Sequence, residues 1–125
     1  MGVTHVSVIV RNPAAPDRVW DGEFLVDTGA VDSLVPRIRL ESIGIRPGGT
    51  RTYELADGTK RAFDIAVAQF EFMNETVGGT VIFADDDAEP LLGVTALESA
   101  GIEVDPRNEQ LKRLSAVRLK PFATA

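Results

Sequence analysis

The sequence predicts an all-β domain carrying one or two short helices. Three observations carry that expectation. Apolar and polar residues alternate in "THVSVIV" and again on both sides of Asp57-Gly58, which is the period of half-buried strands. The Asp57-Gly58 dipeptide accepts the positive φ angles of a tight hairpin. The two stretches with helical signals, "PRIRLESI" and "TALESA", have room for only one or two turns each.

A chain of 125 residues with 44% hydrophobic content is expected to form a single domain, residues 1–125, around one core. It has no cysteine, so neither a disulfide framework nor a thiolate ligand or nucleophile is available to it. The opening "MGVTHVSVIVRNP" is too short and too interrupted for a signal peptide or a membrane span, and His5 stands where a myristoylation signal wants Ser or Thr. The expectation is a soluble, cytoplasmic protein with no membrane partner. A net charge of −6 argues against nucleic acid as a partner, because phosphate binding needs a surplus of Lys and Arg.

In chain order, "THVSVIV" places Val6, Val8 and Val10 on one face and His5 and Ser7 on the other. The proline-rich "NPAAPD" ends it, and "RVWDGEFLV" reads as the return strand, with a bulge or turn expected at Asp21-Gly22. "SLV" is a further short strand. Pro36 then opens a short helix framed by Ile38 and Ile43 and stopped by Gly44. The hairpin around Asp57-Gly58 has a charged tip that should project into solvent, with Phe63, Ile65 and Val67 anchoring its base. A turn is expected at "NETVGG", then the strand "TVIFA", the acidic loop "DDDAEP" and the strand end "LLG". Thr95 and Glu98 have capping-box spacing, and Gly101 ends that helix. A strand, a turn at Pro106 to Asn108 and one or two terminal strands complete the chain. "LESIGI" at Leu40 to Ile45 and "LESAGI" at Leu97 to Ile102 hint at two related halves or at coincidence.

The chemistry centres on "FLVDTGAVD". Three large apolar residues deliver Asp27, and burying a lone carboxylate is costly unless it is hydrogen-bonded, neutralised or used. One reading is a turn Asp accepting backbone bonds from Gly29 and Ala30, which would suit a monomeric β-domain. The other is catalytic. "DDDAE" could hold a hard cation, but it lacks the spacing of a calcium loop and reads as a solvated turn. The basic end, with Lys112, Arg113, Arg118 and Lys120, could meet a neighbouring subunit or stay solvated.

Taken together, hydrophobic-hydrophobic-Asp-Thr-Gly-Ala, the projecting Asp-Gly hairpin and "PLLGV" some sixty residues after Asp27 resemble the retropepsin-like aspartic proteases. "VDTGA" and "LLG" followed by "TALESAGIEVDP" look especially like the bacterial single-domain members, and the resemblance runs from about Val3 to Leu114. It implies a closed barrel with a flap hairpin, assembled as a twofold homodimer, because one Asp-Thr-Gly supplies one carboxylate and aspartic proteolysis needs two around a water. It further implies Asp27, Thr28 and Gly29 as the catalytic motif, with Thr28 bonding across the dimer axis and Gly29 allowing close approach. Ala30, Val31 and Asp32 would line the substrate cleft, and Asp57 and Gly58 would form the flap tip unless that hairpin is an ordinary surface feature. Leu91 to Gly93 would form the wall behind Asp27. The implied activity is an aspartic endopeptidase acting on polypeptides, with no cofactor or metal. The alternative is the same dimer kept as a peptide-binding or scaffolding module without turnover. One departure stands out: the retroviral pattern pairs an Asp and an Arg at the positions held here by Val31 and Val94.

Overall fold

The computed structural model describes residues 4–105, 107–117 and 119. Strands β1 (His5–Asn12) and β2 (Ala15–Val26) form an antiparallel hairpin, followed by β3 (Ser33–Pro36) and helix α1 (Arg37–Ser42). Then come β4 (Gly49–Glu54), β5 (Lys60–Phe72), β6 (Glu75–Ala84), β7 (Leu91–Leu92), helix α2 (Val94–Ala100), β8 (Ile102–Asp105) and β9 (Gln110–Arg113). Seven strands share one sheet in the order β1-β2-β7-β3-β6-β5-β4, and β1 also pairs with β5. That extra pairing closes six strands into a barrel and leaves β4 outside it as one arm of a hairpin. Closure removes the exposed edges of those six strands, while β4, paired only with β5, keeps one free edge. β8 and β9 form a separate two-stranded sheet.

The alternation read in β1 holds: Val8 and Val10 are fully buried, while His5, Ser7 and Ile9 face out. Phe24, Val35, Leu40, Phe70, Val81, Leu92 and Leu97 complete the centre of the core. Asn12 is buried with its polar atoms satisfied, because its amide donates to the Ile43 carbonyl at 2.8 Å and its side-chain oxygen accepts the Ala14 N–H at 2.8 Å. One side chain thus fixes both the β1–β2 turn and the end of α1.

Several local expectations are corrected. Asp21 and Gly22 stay in regular register opposite Ile9 and Val8, and the ladder's irregularity falls at Arg11/Asn12. Gly22 is needed for space, since a Cβ there would lie 2.7 Å from the Trp20 ring. The turn after β5 is the pair Met73-Asn74, both at positive φ, and Val77-Gly78-Gly79 lie inside β6. Core contact in β5 comes from Ala68, Phe70 and Phe72, while Val67 is 66% exposed. The strand is continuous, so residues of one parity enter the barrel while Val67 lies on the other face; Phe63, of that same parity, packs edge-on against Tyr53 with ring centroids 6.0 Å apart and anchors the hairpin base. Ile38 is likewise outside the core, at 53% exposure.

Helix α2 begins after Gly93, with no side-chain cap. Thr95 instead donates its hydroxyl to the Val31 carbonyl at 2.9 Å, a tertiary bond that overrides the local capping pattern. The LES-x-GI repeat does play one role twice. Leu40 and Leu97 are buried, Gly44 and Gly101 take positive φ, and their amides bond back to Glu41 and Glu98. The two halves differ upstream, because α1 follows β3 whereas α2 follows Gly93 directly.

At the C-terminal end, the Asp105 carboxylate accepts from the Arg107 and Asn108 amides at 2.9 and 3.3 Å and from the Asn108 side chain at 2.9 Å. The Asn108 side chain, foremost among these donors, holds the Asp105 carboxyl below the usual carboxylate range. Pro106, Arg118 and Lys120 lie outside the described residues. Arg113 engages its own chain, at the Met73 carbonyl and the Glu75 carboxylate.

Candidate active site

Strand β2 runs parallel to β7, with Leu25 opposite Leu91 and Val26 opposite Leu92. The chain leaves the sheet at Asp27, whose amide still donates to the Leu92 carbonyl at 3.1 Å. Its carboxylate accepts the Gly29 amide at 2.9 Å, and the Ala30 amide closes the turn onto the Asp27 carbonyl at 3.1 Å. A Cβ on Gly29 would stand 3.2 Å from the Asp27 Oδ1, so glycine keeps the carboxylate free of crowding. Phe24 is fully buried and Asp27 half-buried, so the loop starts directly from the barrel core. Thr28 is exposed, and its hydroxyl has no hydrogen-bond partner among the described residues.

Gly93 fastens the loop from behind. Its amide donates to the Ser33 hydroxyl at 3.0 Å, and a Cβ there would fall 2.5 Å from the Asp32 carbonyl carbon. The next amides continue the seam, Val94 to the Ala30 carbonyl at 2.8 Å and Thr95 to the Val31 carbonyl at 3.1 Å. Leu91 to Gly93 therefore form the expected wall. Val31 is 59% exposed, and backbone bonds join these two segments.

Asp32 is buried, and its Oδ2 accepts the Tyr53 hydroxyl at 2.6 Å and an Arg51 guanidinium N–H at 3.2 Å. Burial above all, then the hydrogen bond to Asp32 and its negative charge, push the Tyr53 phenol up to about 12. The Asp27 loop is thereby tied to β4. Sequence reading missed Arg51 and Tyr53. Their two-residue spacing puts them on one strand face, and a tyrosine among charged residues calls for a polar partner, which was the available signal.

The β4–β5 hairpin turns through Gly58 at φ +87°, with Leu55 and Thr59 joined by a 2.7 Å backbone bond. The Thr59 hydroxyl and amide reach the Asp57 carboxylate at 2.6 and 3.0 Å and hold its carboxyl below the usual range. Between this hairpin and the Asp27 loop lies a cleft of about 580 Å³. Asp27, Gly29, Ala30, Val31 and Asp32 line it on one side, Thr52 to Ala56 on the other, and Leu34, Phe63, Ile82 and Leu91 add apolar surface. Asp57 and Gly58 sit at the hairpin tip beyond these walls, and the hairpin's contribution comes from residues 52–56.

The "DDDAE" carboxylates diverge to separate partners: Asp85 to Arg61 at 3.1 Å, Asp86 to the Ile38 amide at 3.0 Å and Glu89 to His5 at 2.9 Å. Divergence of this kind does not make a cation cage. No helix among the described residues is long and apolar enough to cross a membrane.

Residues 20–99 match the family model described as "gag-polyprotein putative aspartyl protease". Among solved structures, the fold is similar to the solution structure of simian foamy virus (mac) protease, with a TM-score of 0.54 at 18% identity. That match covers 75% of this chain and 91% of the viral one, and it bears on fold. A search of curated proteins found no significant match.

Proposed function

The chain belongs to the gag-polyprotein aspartyl protease family, and on that premise we propose that it is an aspartic endopeptidase acting on polypeptides as a twofold homodimer, akin to the bacterial single-domain members and working in the cytoplasm. The observation that carries this reading is Asp27. Its carboxylate is held by the Gly29 amide at the mouth of a peptide-sized cleft, on a loop secured by Gly93.

Two such carboxylates, one from each subunit, would flank a single water. Like charges so close cannot both ionise, so the pair shares one proton. The ionised member takes a proton from the water, whose oxygen attacks the scissile carbonyl carbon, while the protonated member donates to the carbonyl oxygen. The tetrahedral intermediate then breaks at C–N as the nitrogen takes the proton held by the first carboxyl and the other carboxylate takes back a hydroxyl proton, which regenerates the singly protonated pair. The exposed Thr28 hydroxyl would bond across the dimer axis, and the β4–β5 hairpin, whose residues 52–56 line the cleft, would cover bound peptide and exclude water.

Asp27→Asn tests the assignment, because the amide fills the same space and cannot accept the water's proton. Peptide hydrolysis should fall by about 10³-fold or more, with sedimentation still giving a dimer. Undiminished hydrolysis by the mutant, or full activity from a strictly monomeric species, rejects the mechanism. A second reading, a dimer that binds peptide without turnover, draws on the hairpin tip, where Asp57 is locked by Thr59 and Gly58 is the one glycine. Peptide binding with no cleavage by the parent protein would select it.

A further inference from the structure

Residues Lys60 to Asp64 of β5 pair with β4 alone, because the ladder to β6 begins at Ile65. Among the described residues no backbone bond holds this part of the hairpin against the barrel, so side chains set its position. In the register Tyr53 lies opposite Arg61, and Arg51 opposite Phe63. Residues directly opposite, or two apart along a strand, share a face, so these four form one surface of the hairpin. Their contacts agree. The Tyr53 and Phe63 ring centroids are 6.0 Å apart, and the Arg61 guanidinium lies 4.4 Å from the Phe63 centroid. This surface meets the barrel at two places: Tyr53 and Arg51 at the Asp32 carboxylate, and Arg61 at the Asp85 carboxylate, 3.1 Å away. Asp32 immediately precedes β3 and Asp85 immediately follows β6, and these strands run parallel side by side, so the two anchors sit at opposite ends of one strand pair. Phe63 borders both the cleft and a neighbouring cavity of about 330 Å³ lined by Arg61 and Asp85. The nearby aspartates have other partners, since Asp64 is held by Arg37 at 2.6 Å and Asp86 accepts the Ile38 amide.

We propose that Arg61 and Asp85 are positioning residues: their ion pair is the second point of a clamp, with Asp32 as the first, that holds the hairpin down over the cleft and must release before a polypeptide enters. The inference rests on the peptide-binding reading above. A single contact at Asp32 would leave the hairpin free to swivel about it. Two contacts at separated points fix its tilt. Both partners of the Arg61–Asp85 pair are largely exposed, and an exposed pair is weak enough to open in ordinary thermal fluctuation, as a gate requires. The acidic loop thus has a task beyond solvation: its first carboxylate is the landing point of the β5 arm.

The chain has no cysteine, so introduced ones at Lys60→Cys, on the opposite hairpin face from Arg61, and Glu98→Cys, on α2, take spin labels selectively. Labelled full-length chain mixed with an excess of unlabelled chain reports the hairpin-to-barrel distance within one subunit by double electron–electron resonance. The parent should give one narrow distance population. Arg61→Gln and Asp85→Asn should each broaden it, and the exchanged pair, Arg61→Asp with Asp85→Arg, should be narrower than either. Stopped-flow association of a capped, uncharged peptide, its central amide replaced by a hydroxyethylene group, should be about two- to fivefold faster in both single variants, the range of an exposed ion pair. The two variants change net charge in opposite directions, so a shared acceleration does not come from electrostatic steering. With peptide bound, unchanged distances, association rates that move in opposite directions or not at all, or an exchanged pair as broad as the single variants overturns the proposal. Failure of the hydrolytic reading looks different: the distance response and the faster association persist while the same peptide with a normal amide is not cleaved. No binding of the peptide by any variant overturns the gate together with the peptide-binding reading.

Discussion

Tyr53 on the hairpin strand donates its hydroxyl to the buried Asp32 carboxylate at 2.6 Å, so the wall of the cleft and the Asp27 loop are coupled by one short hydrogen bond. Tyr53 is the only tyrosine in the chain, which makes its ionisation directly readable by ultraviolet absorbance. In folded protein the midpoint should lie near 12, well above the ordinary phenol value of about 10. Removing the Asp32 charge with Asp32→Asn should lower it, while burial keeps it from returning fully. A folded-state midpoint at the ordinary value would mean that the contact does not persist in solution.

The same contact sets a pH window for stability. A phenol whose folded value is raised contributes stability that is complete below the unfolded value and is lost as pH rises through the folded one. Tyr53→Phe should therefore cost about 1 kcal/mol at neutral pH, discounted for partial exposure. That gap should be flat up to about pH 10 and narrow toward pH 12. Urea titrations of both proteins across this range check it, and a gap that widens instead would contradict the sign.

Gly93→Ala should destabilise the protein by at least about 2 kcal/mol. The added methyl would meet backbone at 2.5 Å, and backbone cannot rotate aside as a side chain can. Urea denaturation reads the loss. An unchanged midpoint would show that the β7–α2 junction and the Asp27 loop separate freely.

Gly58→Val separates the hairpin's function from its stability. Nothing lies within 4 Å of a Cβ at this tip, so the cost is conformational, from φ at +87°. The strain is on the order of 1–2 kcal/mol for an L-residue, and a hairpin outside the barrel can relieve it by fraying. The thermal midpoint should move little. Peptide turnover should drop about tenfold if the hairpin must close over substrate, and unaltered kinetics would mean that the tip does not cover the cleft.

Asp86→Ala should weaken the start of α1 by about 1 kcal/mol, the usual loss when a helix-start amide forfeits its side-chain acceptor. Its carboxylate takes the Ile38 amide at 3.0 Å, whereas the adjacent Asp87 makes no hydrogen bond among the described residues. Asp87→Ala is thus the control, and equal denaturation midpoints for the two variants would remove the cap assignment.

Much of this molecule was legible because its signals are local. Alternation placed β1, the Asp57-Gly58 dipeptide placed the hairpin, and Gly44 and Gly101 ended the helices where left-handed backbone is needed. The Asp-Thr-Gly loop and the Leu91 to Gly93 wall could be expected from the order of their motifs, since that order is itself a property of the chain. Other features answered to partners far away in sequence. Thr95 left its capping role for the Val31 carbonyl, Val67 turned outward to 66% exposure, and the Asp32 carboxylate, at the cleft wall, is matched by Tyr53 and Arg51. In each case a local preference of about 1 kcal/mol yielded to burial or to a tertiary hydrogen bond. Residue types and their order were enough to name candidates for chemistry and most of the places where the chain turns. Which carboxylates are matched and which stand open emerges from the fold alone, because charge compensation depends on distances through space that no spacing along the chain encodes.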